Sequence, residues 1–203
     1  MTDQEKEPLL SVADISEAKG RVCRYRIYFK GTPLLDFVAD KNGVIAEDIG
    51  NGIRSIGAYG WVYNGQIKID GTKPFLYLRF IKADSRGTTY AVEFMGAEIY
   101  NITATRKGFA RGGHSHPYNV DFIMVAGSGV WGIRRGGRWV TVEQSAGTEH
   151  VKVNANEPHY IVAKEDMVTT EFPEGNMMYA DVKDEESRRI VDSINESRER
   201  QGS

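Results

Sequence analysis

Residues Gly108 to Gly129 read GFARGGHSHPYNVDFIMVAGSG, and this stretch decides how the rest of the chain is read. His114 and His116 are one residue apart. In an extended strand, residues i and i+2 point to the same face. Both imidazoles therefore project together from one strand. Pro117-Tyr118-Asn119 turns the chain, and Asp121 opens the apolar run DFIMVAG. Two imidazoles with a nearby carboxylate suit a divalent ion such as Fe, Mn, Ni or Zn, and they equally suit acid–base chemistry. Polar residues on a surface hairpin are the plain alternative. A further histidine at the start of a later strand pattern, His159 in HYIVA, weighs against it.

The same residues carry a resemblance. Gly108, five residues, then His114-x-His116, four residues, then Asp121, is similar to the first motif of the cupin superfamily, whose usual acid is Glu. Gly127 or Gly129 stands near the motif's closing glycine. The segment Asn154-Ala155-Asn156-Glu157-Pro158-His159 resembles the second motif, Pro-x-Gly-x-x-His, with Asn at both turn positions. Asn tolerates left-handed backbone better than most residues, so the turn survives the exchange. The resemblance covers about residues 84–183. It implies an all-β fold, the cupin double-stranded β-helix or jelly-roll barrel, with His114, His116, Asp121 and His159 as metal ligands inside it. It also implies pairing into a homodimer.

A second resemblance is narrower. Asp84, Arg86, Gly87 and Glu93, followed by Arg111, Gly112, His114 and His116, look like the cupin-type nucleotide-sugar 3,4-ketoisomerases. In that family two histidines move protons between sugar carbons without a metal. The resemblance implies a small sugar-like substrate, with His114, His116 and Arg111 as the catalytic group. A group titrating near neutral pH can both remove a proton beside a carbonyl and return it elsewhere. Arg111 can stabilise an enolate or bind a phosphate. Arg86, Arg111 and Tyr179 are the expected substrate-binding residues. Asp84 and Arg86 can equally be a turn held by its own ion pair. Three functions stay open: an isomerase, a metal-dependent oxygenase, isomerase or lyase, and a non-catalytic cupin that binds a small ligand.

Working outward, the 203 residues suit one domain with a full core. The charge is balanced, 26 basic against 28 acidic residues, which argues against a nucleic-acid partner. No apolar run reaches transmembrane length, so no membrane partner is expected. The single cysteine, Cys23, cannot close an internal disulfide, and the opening MTDQEKEPLL is too polar for a signal peptide, so a cytoplasmic location is expected. Twenty-two glycines indicate many turns and short strands.

Residues 1–20 read as a tail with a short helix over Ser11–Lys19. Residues 21–83 read as a β-hairpin extension, with turns at Asn42-Gly43, Asn51-Gly52, Asn64-Gly65 and Asp70-Gly71. Within it, Trp61 and Tyr63 share a face and read as core. Lys73–Ala83 is apolar on both faces, the pattern of a central strand. Residues 84–183 form the barrel. Arg134, Arg135 and Arg138 mark a solvated hairpin tip, and His150 reads as a surface histidine. From Asp184 the period changes, and Ile190, Val191 and Ile194 line one side of an amphipathic C-terminal helix over 184–203.

Overall fold

The computed structural model describes residues 9–14, 22–40, 44–48, 76–94, 97–174 and 181–202. Near the N-terminus, β1 (Leu10–Asp14), β2 (Val22–Phe29), β3 (Thr32–Asp40) and β4 (Val44–Asp48) form one antiparallel sheet in sequence order. The expected helix over Ser11–Lys19 is not there at its start. Residues 10–14 are strand β1, paired with β2 from Leu10↔Phe29 to Asp14↔Tyr25. Pairing and the burial of Leu10 outweigh the local helical pattern. Residues 15–19 lie outside the described set, as do all four Gly turns (at 42–43, 51–52, 64–65 and 70–71), Trp61, Tyr63 and Tyr179.

The remaining strands are β5 (Leu76–Asp84), β6 (Gly87–Phe94), β7 (Ala97–Thr105), β8 (Ala110–Ser115), β9 (Val120–Ala126), β10 (Ser128–Arg135) and β11 (Arg138–Ser145). After them come β12 (Val151–Val153), β13 (His159–Ala163), β14 (Met167–Pro173), β15 (Val182–Lys183) and helix α1 (Glu185–Gly202). They build two sheets, one in the order β11-β10-β13-β8-β15 and the other β12-β9-β14-β7-β6-β5. From β7 onward the chain crosses between these sheets at almost every connection. That back-and-forth winding makes a double-stranded β-helix. Among the described residues β5 pairs with β6 alone, and its far end, Ile81 to Asp84, is exposed.

The sheets face one another across an apolar core. Val120, Phe122, Met124, Val151, Val153 and Met167 come from one, and Trp131, Ile133, Ile161 and Ala163 from the other. The period-two alternation of β9, with Val120, Phe122 and Met124 buried, is what assigns its inner face. Trp131 is fully buried and still satisfied: its indole N–H donates to Gln144 Oε1 at 2.8 Å, and Gln144 Nε2 donates to the Phe122 carbonyl. The outer residues of β7 and β14, Ile102, Ala104, Val168, Thr170 and Phe172, are buried too. An ion pair from Lys30 to Asp166, 2.8 Å, ties the N-terminal sheet to the turn before β14.

Helix α1 forms where the change of period places it. Asp184 caps it by accepting from the Ser187 amide at 2.8 Å, and Glu185 and Glu186 sit in the first turn, favourable to the helix dipole. Ser187, Val191 and Asn195 are its buried face, which packs on β8. Asn195 makes a two-point contact with one β8 residue: Oδ1 accepts from the Ala110 amide at 2.8 Å and Nδ2 donates to its carbonyl at 3.3 Å.

Candidate metal centre

The site is built from β8, β13, β14 and the residue preceding β15. β8 and β13 pair with Ala110↔Val162, Arg111↔Ile161, Gly112↔Tyr160 and His114↔His159. One residue of β8, Gly113, is therefore extra, a β-bulge. Gly112 and Gly113 take φ of +89° and +88°, open to glycine and strained for any other residue. The bulge has a direct consequence. Arg111 and His114 are three apart and would face opposite sides of a regular strand. With the extra residue between them, both stand opposite inward residues of β13, Ile161 and His159.

His114, His116 and His159 converge, with ring centroids 4.7, 5.0 and 5.0 Å apart. One nitrogen of each lies within 4.8 Å of the others. His116 and His159 are almost wholly buried, and His114 is partly open. His116 stacks on Tyr118, and His159 packs on Phe122. The turn that delivers His159 is made by Asn156 at φ +63°, the left-handed position expected from the sequence.

Two carboxylates join the imidazoles. Glu171 of β14 places Oε1 3.2 Å from His116 Nε2. Asp181 spans two rings, with Oδ1 3.0 Å from His116 Nδ1 and Oδ2 3.6 Å from His114 Nδ1. His159 Nδ1 stands 3.2 Å from the Glu157 carbonyl, which can only accept, so that nitrogen carries the proton. Each Nδ1 thus has an outer oxygen beside it, at 3.0 Å for His116, 3.2 Å for His159 and 3.6 Å for His114. Both ring nitrogens of His116 are buried without a well-formed hydrogen bond, with carboxylate oxygens at 3.0 and 3.2 Å. Donor atoms on one ion at about 2.1 Å stand about 3.0–3.4 Å apart, which the Glu171–His116 pair meets.

Asp121, expected as the fourth ligand, is not brought to the imidazoles. It alternates with the inward Val120 and Phe122 and so lies on the other face of β9. There it is opposite Lys152 and 3.5 Å from the exposed His150. Glu171 and Asp181 went unnoticed in the sequence. The only available signal was an acid inside the strand pattern MVTTEF and another just before the helix.

The protonation states divide. Burial lowers the His114 pKa to about 4, with Asp181 opposing and His116 and Lys82 assisting. Burial also drives His159 far below its ordinary value, helped by the charges of His114 and His116. Burial would lower His116 as well, but its contact with Asp181 and the charges of Glu171 and Asp181 win, and it is raised. Neutral imidazoles at His114 and His159 are the form that binds metal.

Arg111 lies on the inner face and is nine-tenths buried. Its guanidinium meets one carboxylate, Asp84, at 3.3 and 3.5 Å, while Nε has no partner. Burial lowers its pKa to about 10, against the pull of Asp84. Arg86 is held by Asp84 in its own turn, with Nη2 2.5 Å and the backbone amide 3.0 Å from that carboxylate. The basic hairpin is likewise internally paired: Arg134 clasps Asp184 and Glu186, and Arg135 reaches Glu157 and the Lys152 carbonyl.

Compared with family models and with curated proteins, the sequence gives no match. Solved structures do resemble part of it. The capsular polysaccharide assembling protein CapF from Staphylococcus aureus is 24% identical, over 55% of this chain and 31% of that one, with a TM-score of 0.43. Oxalate decarboxylase from Bacillus subtilis, a protein with Mn(II) centres, is 18% identical over 53% and 30%, with a TM-score of 0.43. The Drosophila melanogaster CENP-C cupin domain is 10% identical over 47% and 74%, with a TM-score of 0.41. The chain thus spans about a third of the length of CapF and of the decarboxylase. Among the described residues, no helix is long and apolar enough to cross a membrane.

Proposed function

We propose that the protein is a metal-dependent cupin enzyme acting on a small polar substrate that carries an anionic group. The observation that carries this reading is the division of labour within the rings. All three Nδ1 atoms face outer oxygens, Asp181 twice and the Glu157 carbonyl once, while His116 Nε2 lies beside Glu171. The donor set is three imidazoles, with the Glu171 carboxylate beside one of them, and it fits Fe, Mn, Ni or Zn. Such an ion, when bound, supplies Lewis-acid or redox chemistry at an open coordination position. The chain's own groups do the rest. Arg111, with Nε unpartnered inside the fold, orients the substrate's anion, and the apolar wall of Phe122 and Trp131 keeps water from the buried side.

Keto-sugar isomerisation without metal is the second reading. It is favoured by the opposed shifts of His114, lowered, and His116, raised, which separate the proton affinities of two neighbouring rings. Elemental mass spectrometry separates the two. Tag-free protein reloaded with Fe(II), Mn(II), Ni(II) or Zn(II) is expected to hold one ion per chain, and a His114→Ala/His159→Ala variant none. Wild type that keeps no ion under any loading would overturn the first reading, and solvent-proton exchange into 4-keto-6-deoxy nucleotide sugars would then test the second.

A further inference from the structure

We propose that Asp181 is a positioning residue for the neighbouring rings of His114 and His116: one carboxylate, carried in by the C-terminal strap, reaches His116 Nδ1 directly and lies near enough to His114 Nδ1 to bias both rings toward the Nδ1–H form. The inference deepens the metal-centre reading and rests on it for its affinity arm alone.

The geometry supplies one oxygen for each ring. Oδ1 is 3.0 Å from His116 Nδ1, and Oδ2 is 3.6 Å from His114 Nδ1. Rings two residues apart on one strand lie side by side, here 4.7 Å between centroids, so a single carboxylate can serve both. Asp181 is half exposed, and its own side chain does not fix its position. The residues after it do. Val182 and Lys183 pair with Ser115 and His114 of β8. Asp184 caps α1 and is clasped by Arg134 at 3.2 Å. Glu186 then receives Arg134 at 2.6 Å and the Trp139 indole at 2.8 Å. Asn195 and the close approach of Arg188 to Gly113 seat the helix along the same strand that carries the histidines. Strand and helix thus bracket Asp181 against β8. A carboxylate behind a ligating histidine sets the tautomer and orientation of the ring, and losing one commonly costs 10–100-fold in metal affinity.

The test uses the full chain labelled with 15N-histidine, metal-free, at about pH 8.5, where long-range 1H–15N spectra separate Nδ1–H from Nε2–H rings. Wild type is expected to show Nδ1–H at His114, His116 and His159. In Asp181→Ala, His114 and His116 shift toward Nε2–H, while His159, held by the Glu157 carbonyl, stays as it was and reports an intact fold. In Asp181→Asn the amide oxygen accepts from one ring and the NH2 donates to the other, so one histidine keeps Nδ1–H and one loses it. Zn(II) affinity, read by chelator competition, should fall 10–100-fold in Asp181→Ala. Unchanged tautomers at His114 and His116 in Asp181→Ala would overturn the proposal. If the tautomers move as stated but wild type binds no Zn(II), Mn(II), Ni(II) or Fe(II), the metal reading falls and the positioning role stands.

Discussion

The bulge in β8 can be tested by filling it. A Cβ added at Gly112 would stand 2.7 Å from the His159 carbonyl oxygen and 2.9 Å from Tyr160 Cα, both backbone atoms that cannot rotate away. Gly112 also sits at φ +89°. The backbone cost for an L-residue with positive φ is about 1–2 kcal/mol, and overpacking of this kind adds about 1–3 kcal/mol. Gly112→Ala is therefore expected to lose about 2–5 kcal/mol. In a chain of this length, 1 kcal/mol moves Tm by about 2–4 °C, so the melt should fall by about 4–20 °C. Gly136→Ala is the control. Gly136 also has positive φ, +55°, but an added Cβ meets nothing within 4 Å. Its loss should be the backbone part alone, about 2–8 °C. Thermal unfolding followed by circular dichroism compares them directly. Equal melts for the two variants would refute the claim that β13 backbone fills the space at Gly112. The clash also displaces the strand at His159, so Gly112→Ala should release metal more readily than Gly136→Ala does.

Glu171→Gln is expected to weaken Mn(II) or Ni(II) binding by about 10–100-fold, while Asp121→Asn leaves it unchanged, because only the former carboxylate faces an imidazole of the cluster. Calorimetric titration decides, and the reverse ranking would restore Asp121 as the ligand. The acid limb of stability should depend on Asp166. Burial acts to raise its carboxyl, but the Lys30 ammonium and the Lys107 amide outweigh that and hold it below the ordinary value. A depressed carboxyl contributes stability above its unfolded pKa of about 4 and loses it as pH falls through the folded value. The urea midpoint of Asp166→Asn should therefore trail wild type at pH 7, and the gap should close by about pH 2.5. A gap that stays constant with pH would show that ionisation of Asp166 plays no part.

Much of this was legible in the sequence because it depended on short-range pattern. His114-x-His116, the left-handed Asn156, the Gly136-Gly137 hairpin and the helix beginning beyond Asp184 each follow from spacing, turn chemistry or period. What was not legible depended on register. Asp121 looks like a ligand when counted along the chain, yet strand parity sends it to the face opposite Phe122. Glu171 and Asp181 are 55 and 65 residues from His116, and nothing local says which strand each will meet. The bulge hides in plain view as Gly112-Gly113, because a glycine pair marks many things besides an extra residue in a ladder. β1 was misread for a related reason: a five-residue strand is settled by its neighbours.

Helix α1 also has a bearing on solubility. Among the described residues, β8 between Ala110 and Gly113 has β13 on one side and no strand on the other, and a bare strand edge is a template for another chain. Asn195 answers the Ala110 amide and carbonyl as a neighbouring strand would, and the helix body covers the row beside it. The edge so guarded belongs to the strand bearing His114. A chain that lost its grip on the helix would gain a sticky ribbon at the mouth of its own site, so self-association and loss of activity would arrive together.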